Sequence, residues 1–208
     1  MRRTRRPGTD ACMKNEYPTI GATSREPHYL RVPREDLPSI ARNPIHVVLD
    51  NLRSAFNVGS IFRTADAGAI AHMYLCGMTS YPPNKKLEKT ALGALDYVPW
   101  SRHADTRSAV AQLREDGVTC VAIESVDGAP GHTSFAWPRP VAVVFGNEVT
   151  GIDPEIVAIC DGTVQIPMQG FKNTINVATA FGVVMYEILR QWERAGISSC
   201  APSPPIPD

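Results

Sequence analysis

The 208-residue chain balances 21 Lys and Arg against 21 Asp and Glu, so no whole-molecule field can pull it onto nucleic acid and any such binding must use local patches. Five cysteines (Cys12, Cys76, Cys120, Cys160 and Cys200) stand far apart with no CxxC pair and no histidine at ligand spacing. This argues against a metal site or a disulfide framework and favours a reducing, cytoplasmic setting. The length suits one ordinary domain with appendages.

Residues 1–43 are rich in Pro, Arg and polar side chains and show no sustained period, so they read as an extended, basic N-terminal arm. Arg2, Arg3, Arg5 and Arg6 crowd its start, as in an organellar transit peptide, but Asp10, Glu16, Glu26, Glu35 and Asp36 soon dilute that pattern. The arm has no h-region, and no apolar run in the chain reaches membrane-spanning length, so no membrane partner is expected. Residues 195–208 are Ser/Pro-rich and are expected to be a disordered tail.

From 44 to 194, short apolar runs alternate with helical patterns. The spacing predicts strands at Ile45–Leu49, Met73–Cys76, Cys120–Ile123, Val141–Phe145 and Val164–Ile166, each β-branched and continuous, as in strands covered on both faces. It predicts helices at Val58–Gly68 with Asn57 as cap, Thr106–Glu115 behind Asp105, Pro154–Cys160 behind Asp153, and Asn176–Trp192. In the last of these, Val177, Phe181, Val184, Ile188 and Trp192 share one stripe, with Glu187, Arg190 and Glu193 off it. Such alternation is the pattern of an α/β fold, a mostly parallel sheet flanked by helices. The stretch KKLEKTALGALDYVPW reads either as an RNA-facing loop or as a solvated helix end followed by a core strand. His46 and His72 begin or border strands, and His28, His103 and His132 fall in polar segments.

Ligands of parallel sheets sit outside the carboxyl ends of the strands, and Gly146 and Gly170 follow strands there. Gly146, lacking a side chain, would allow a ligand close to the backbone. VVFGNEVTGID is neither GxGxxG nor a P-loop, so nucleotide phosphate binding is disfavoured. In NVGSIFRTADA, Ser60, Arg63 and Ala67 recur on one helical face; Arg63 reads as salt-bridged structure or as a fork for a phosphate diester. Asn173, Thr174 and Asn176 stand where IPMQGFKNTIN turns into the long helix, a mouth rich in free backbone N–H groups.

NVGSIFRTADA, FGNEVTGI and IPMQGFKNTINVATAFGVVMYE, in this order, resemble the three motifs of the SpoU (TrmH-type) RNA ribose 2′-O-methyltransferases of the SPOUT superfamily. The intervening EKTALGALDYVPW is also similar to sequences of that family, so that 44–194 reads as one SPOUT methyltransferase domain. The resemblance implies a C-terminal trefoil knot holding S-adenosylmethionine (S-adenosyl-L-methionine), with Gly146, Ile166 and Ile175 as cofactor-binding positions and no metal. It further implies Arg63, Asn57, Glu148, Thr174 and Asn176 as catalytic residues, RNA (tRNA or rRNA) as substrate, and a homodimer contacting RNA with both subunits. Where the family commonly has Ser this chain has Thr174, which keeps the hydroxyl and adds a methyl that restricts rotamers. The apolar stripe of the last helix suits either a dimer interface or burial within one subunit. Two other readings share the scaffold: a non-catalytic RNA- or ribosome-binding protein, and an RNA base methyltransferase.

Overall fold

The computed structural model describes residues 41–196; the expected arm up to residue 40 and the expected tail from 197, with Cys12, His28 and Cys200, lie outside the described residues, and Asn43, expected to end the arm, opens the first strand. Within them the elements are β1 (Asn43–Asp50), α1 (Ala55–Ala67), β2 (Ile70–Cys76), α2 (Lys85–Ala91), a 3-10 turn (Ala94–Asp96), β3 (Trp100–His103), α3 (Thr106–Glu115), β4 (Thr119–Ile123), β5 (Val141–Phe145), α4 (Pro154–Ile159), β6 (Gly162–Val164) and α5 (Val177–Arg194). The six strands form one sheet in the order β3-β2-β1-β5-β4-β6, and every pairing is parallel. The expected parallel α/β sheet is therefore present.

Alternate residues of the central strands feed two cores. Ile45, Val47 and Leu49 of β1, with Val143 and Phe145 of β5, join α1 and α5 on one face. Val48, Ala142 and Val144 join α3 and α4 on the other. Burial on both faces explains why these strands are apolar without alternation. The chain lays β2 and β3 on one side of β1, then returns to place β5, β4 and β6 on the other. That reversal leaves a crevice at the carboxyl ends of β1 and β5, where open parallel sheets bind ligands.

Some element ends differ from the sequence expectation, each for a physical reason. α1 starts a turn early: Ser54 is its cap and accepts from Asn57 N, whereas Asn57 sits inside the first turn and spends its side chain elsewhere. β6 ends at Val164 rather than Ile166, because β4, its pairing partner, ends where Ile123 faces Val164. The KKLEKTALGALDYVPW stretch takes the helix-then-strand form as α2 and β3. α3 has its expected bounds, with Asp105 accepting from Ser108 N. His46 and His72 lie within β1 and β2 and face each other in register, rather than at strand borders.

In α5 the stripe Phe181, Val184, Ile188 and Trp192 is buried within the subunit. Glu187, expected off the stripe, is only 8% exposed. It accepts from Arg190 at 2.7 and 2.6 Å and from Gln191 at 2.8 Å, while Gln191 also grips Trp137 N and Phe135 O. The segment before β5 thus covers that flank of the helix. Among the described residues no helix is long and apolar enough to cross a membrane, and no side-chain cluster could hold a metal ion.

Candidate active site

The loop after β5 is built by its own backbone. Asn147 and Gly151 exchange backbone hydrogen bonds at 3.0 and 2.9 Å, folding residues 147–151 into a tight turn. Asn147 Oδ1 accepts from Val149 N and Thr150 N, and its Nδ2 donates to Asn51 O at 2.8 Å. A Cβ on Gly146 would run into the backbone of Gly151 and Ile152. Gly146 is therefore required by the return of its own loop, a demand separate from the close ligand approach that the sequence suggested. Gly151 has φ +71°, and a Cβ there would sit 2.6 Å from Glu124 Oε2. Glu124, at the end of β4, accepts from Ile152 N and Ser125 N and so clamps the far side of the turn.

Glu148 projects from this turn toward the start of α1. Its carboxylate accepts from Arg53 N at 2.9 Å, Ser54 N at 3.1 Å and Asn57 Nδ2 at 2.8 Å. Asn57 Oδ1 accepts from Asn176 Nδ2 at 3.0 Å, and Asn176 Oδ1 in turn accepts from Ala178 N and Thr179 N to cap α5. A single relay thus ties the loop after β5 to both helix starts. Each amide has one orientation, because Asn57 must show its NH2 to the carboxylate and Asn176 must show its oxygen to the helix amides. Burial pushes the Glu148 carboxyl up, but the Arg53 amide, the Asn57 side chain and further backbone donors outweigh it, so the group lies below its ordinary value.

Around the relay lies a cleft of about 550 Å³. Its walls include Asn57, Gly146, Glu148, Ile166, Thr174, Ile175 and Asn176, so seven of the eight nominated residues share one cavity. Arg63 does not line it. Arg63 is exposed on α1, six residues beyond Asn57 and so about 9 Å farther along the helix axis. It shares an outward stripe with Phe56, Ser60 and Ala67, by the helical period. Sequence reasoning missed Glu124, Ser125, Asn147 and Met168 of the lining. Glu124 and Ser125 directly follow β4 and were findable by the carboxyl-end rule; Met168 carried no such signal.

Apolar Ile123, Phe145, Ile166 and Val177 line the cleft together with Glu124, Ser125 and the Asn147–Gly151 backbone. Such a cavity suits a small ligand with a flat apolar part and several polar edges, and its volume falls in the usual range of about 300–1,000 Å³ for such sites.

Residues 44–186 match the sequence model of the SpoU rRNA Methylase family. A tRNA (guanosine(18)-2′-O)-methyltransferase from Thermus thermophilus is 31% identical over 151 residues, which make up 73% of this chain and 77% of that protein. The Escherichia coli protein of the same name is 30% identical over 151 residues, covering 73% of this chain and 65% of its own length. A TrmH-family relative from Staphylococcus haemolyticus is 31% identical over 150 residues, which make up 72% of this chain and 60% of that protein's length. Among solved structures, the A. aeolicus TrmH/SpoU tRNA modifying enzyme superposes with a TM-score of 0.70 at 28% identity, over 79% of this chain and 82% of that one. The SpoU methyltransferase AviRb from Streptomyces viridochromogenes, in complex with AdoMet, gives a TM-score of 0.68 at 26% identity, over 79% of this chain and 67% of that one.

Proposed function

The chain belongs to the SpoU rRNA Methylase family, and from that membership we propose that it methylates a ribose 2′-hydroxyl of RNA, tRNA or rRNA, using S-adenosylmethionine. The observation that carries the reading is the cleft: residues from three segments, Asn57, Gly146–Glu148 and Ile166–Asn176, surround one cavity beside a tethered carboxylate. Its size, apolar walls and backbone edges fit a nucleoside-bearing sulfonium. Ile166 and Ile175 would flank the base and the turn from Gly146 to Gly151 would offer it backbone atoms. When bound, S-adenosylmethionine supplies an electrophilic methyl for in-line displacement by oxygen.

The chain's own residues supply position and charge. Glu148 holds Asn57, Asn57 holds Asn176, and Thr174 lines the same cleft, so these residues would position the attacking hydroxyl for displacement. Glu148 is a positioning residue: a carboxylate already accepting three hydrogen bonds is a weak base. Arg63 presents a planar N–H fork that engages the ribose and its phosphate.

Its site on the outward stripe of α1 favours a homodimer in which Arg63 serves RNA held over the partner's cleft. Phe56 on α1 and Val183 and Tyr186 on α5 are exposed apolar side chains on outward faces of two packed helices. The segment of residues 129–137 hydrogen-bonds both Gln165 and Gln191, a strapping in keeping with a trefoil knot through which the C-terminal segment passes. Cys76, Cys120 and Cys160 are free thiols, in keeping with action in the cytoplasm.

Nucleoside mass spectrometry of total RNA, with and without the protein, tests the reaction. Loss of one 2′-O-methylated nucleoside is expected, and an unchanged set of ribose-methylated nucleosides would refute the reading. The shared site has its own test. Arg63→Ala and Asn176→Ala are each expected to abolish turnover, whereas the two mixed as subunits regain about a quarter of it, as random pairing with one intact site in every mixed dimer requires. No recovery on mixing would place Arg63 with its own cleft.

A further inference from the structure

The β2–α2 loop and the end of β3 carry a second polar-aromatic surface that the methyl-transfer site does not use. Arg102, exposed near the end of β3, holds its guanidinium 4.4 Å from the centre of the Tyr81 ring. Among the described residues no carboxylate pairs with Arg102, so its N–H fork is unspent. Tyr81 is 38% exposed and Met78, in the same loop, is 64% exposed. Lys85 and Lys86 follow at once and are exposed, while Glu88, the one acid in α2, is turned back onto Asn84 N at 3.1 Å. In a chain of zero net charge this is a local cationic patch.

The surface is also rigidly coupled to the cleft. Thr79, buried in the same loop, accepts from Leu52 N at 3.0 Å and donates to Leu49 O at 2.9 Å. Asn51, in the left-handed region with φ 55°, accepts from Met78 N through its side chain and from Asn147 Nδ2 through its carbonyl. The loop bearing Tyr81 and the turn bearing Glu148 are thus both pinned to Asn51, the residue after β1. β3 and β5 lie three strand spacings apart in the sheet, about 14 Å at the usual interstrand distance. Arg53, exposed after β1, stands between them.

The geometry points to Tyr81 and Arg102 as the contact for RNA flanking the target nucleotide: a base stacks on the Tyr81 ring and the next phosphate takes the Arg102 fork. An aromatic ring beside unpaired cations is how proteins hold single-stranded nucleic acid. The 14 Å offset means the nucleotide gripped is not the one methylated, so this surface selects which RNA presents its ribose to the cleft. The inference rests on the RNA-methylating reading above.

The test uses the full chain and a fluorescein-labelled single-stranded RNA 15-mer of mixed sequence, with S-adenosylmethionine affinity and melting temperature measured in parallel. Tyr81→Ala and Arg102→Ala are each expected to weaken RNA binding about tenfold, while cofactor affinity and melting temperature hold; Arg102→Ala also lowers the salt slope by about one. Tyr81→Phe keeps the ring and is expected to bind like the parent. Wild-type affinity in the Tyr81→Ala or Arg102→Ala variant would overturn this inference and leave the methyltransferase reading standing. Loss of cofactor affinity together with RNA affinity would show a merely structural role and overturn it too. A parent chain that binds the cofactor but no RNA would sink both.

Discussion

Two carboxylates held below their ordinary values organise two regions of the molecule, and they do so differently. Glu148 sits exposed at the carboxyl ends of the strands and gathers donors from the β1–α1 connection, more than 90 residues away in the chain. Glu187 is buried midway along α5 and is satisfied mainly by its neighbours Arg190 and Gln191. The first ties the loop after β5 to the start of α1 and, through Asn57, to the start of α5. The second makes a stable helix flank, through which Gln191 ties α5 to the segment before β5.

The sharpest way to break that contrast is Glu148→Ala. It frees three donors, the Asn57 side chain among them, so turnover is expected to fall about 100-fold, the scale of a 1 Å misplacement. The melting temperature should barely move, and a large drop in calorimetry would make Glu148 a structural residue like Glu187. Gly146→Ala acts next. Its methyl meets the Gly151–Ile152 backbone, so the turn must shift; a stability loss of about 1–3 kcal/mol is expected from denaturant midpoints. Cofactor affinity should weaken with it, and intact stability would contradict the close return of the loop.

Glu187→Gln should have the smallest effect and the opposite profile: unchanged turnover and a melting temperature lower by about 2–4 °C. The effect is modest because Arg190 remains 42% exposed and solvent screens the pair. The pH dependence follows the same logic. The hydrogen bonds from Arg190 hold the Glu187 carboxyl down to about 2 against opposing burial, while an unfolded Glu titrates near 4.3. A depressed carboxyl contributes stability that is full above the unfolded value and lost as pH falls toward the folded one. Acid unfolding of the parent between about pH 4 and 2 should therefore include a component that Glu187→Gln lacks, and superimposable acid curves would remove the contribution.

Much of the fold was legible without coordinates. β5 was read to the residue because five consecutive apolar side chains end at a glycine, and α3 because Asp105 is an unambiguous cap. α1 was misread because Ser54 and Asn57 are both good caps; Asn57 lost that role to a glutamate 91 residues on. β6 slipped because a strand's end is set by its partner's length, which no local pattern encodes. Glu187 looked solvated because its helical angle lies off the apolar stripe, and nothing nearby announces that residues 132–137 cover it. Seven site residues lie around one cleft, but the place of Arg63 on an outward face, outside that lining, was invisible to motif reading.

Periodicity, caps and turn residues are interactions between near neighbours, and so the amino-acid order alone settled the element types, the two-faced burial of the sheet and the polar character of the loop mouths. Which amides Glu148 met and which side of α5 was covered were settled by folding. Those choices join atoms 50 to 120 residues apart, and a polar group leaving water takes whichever partner the chain's path brings within reach.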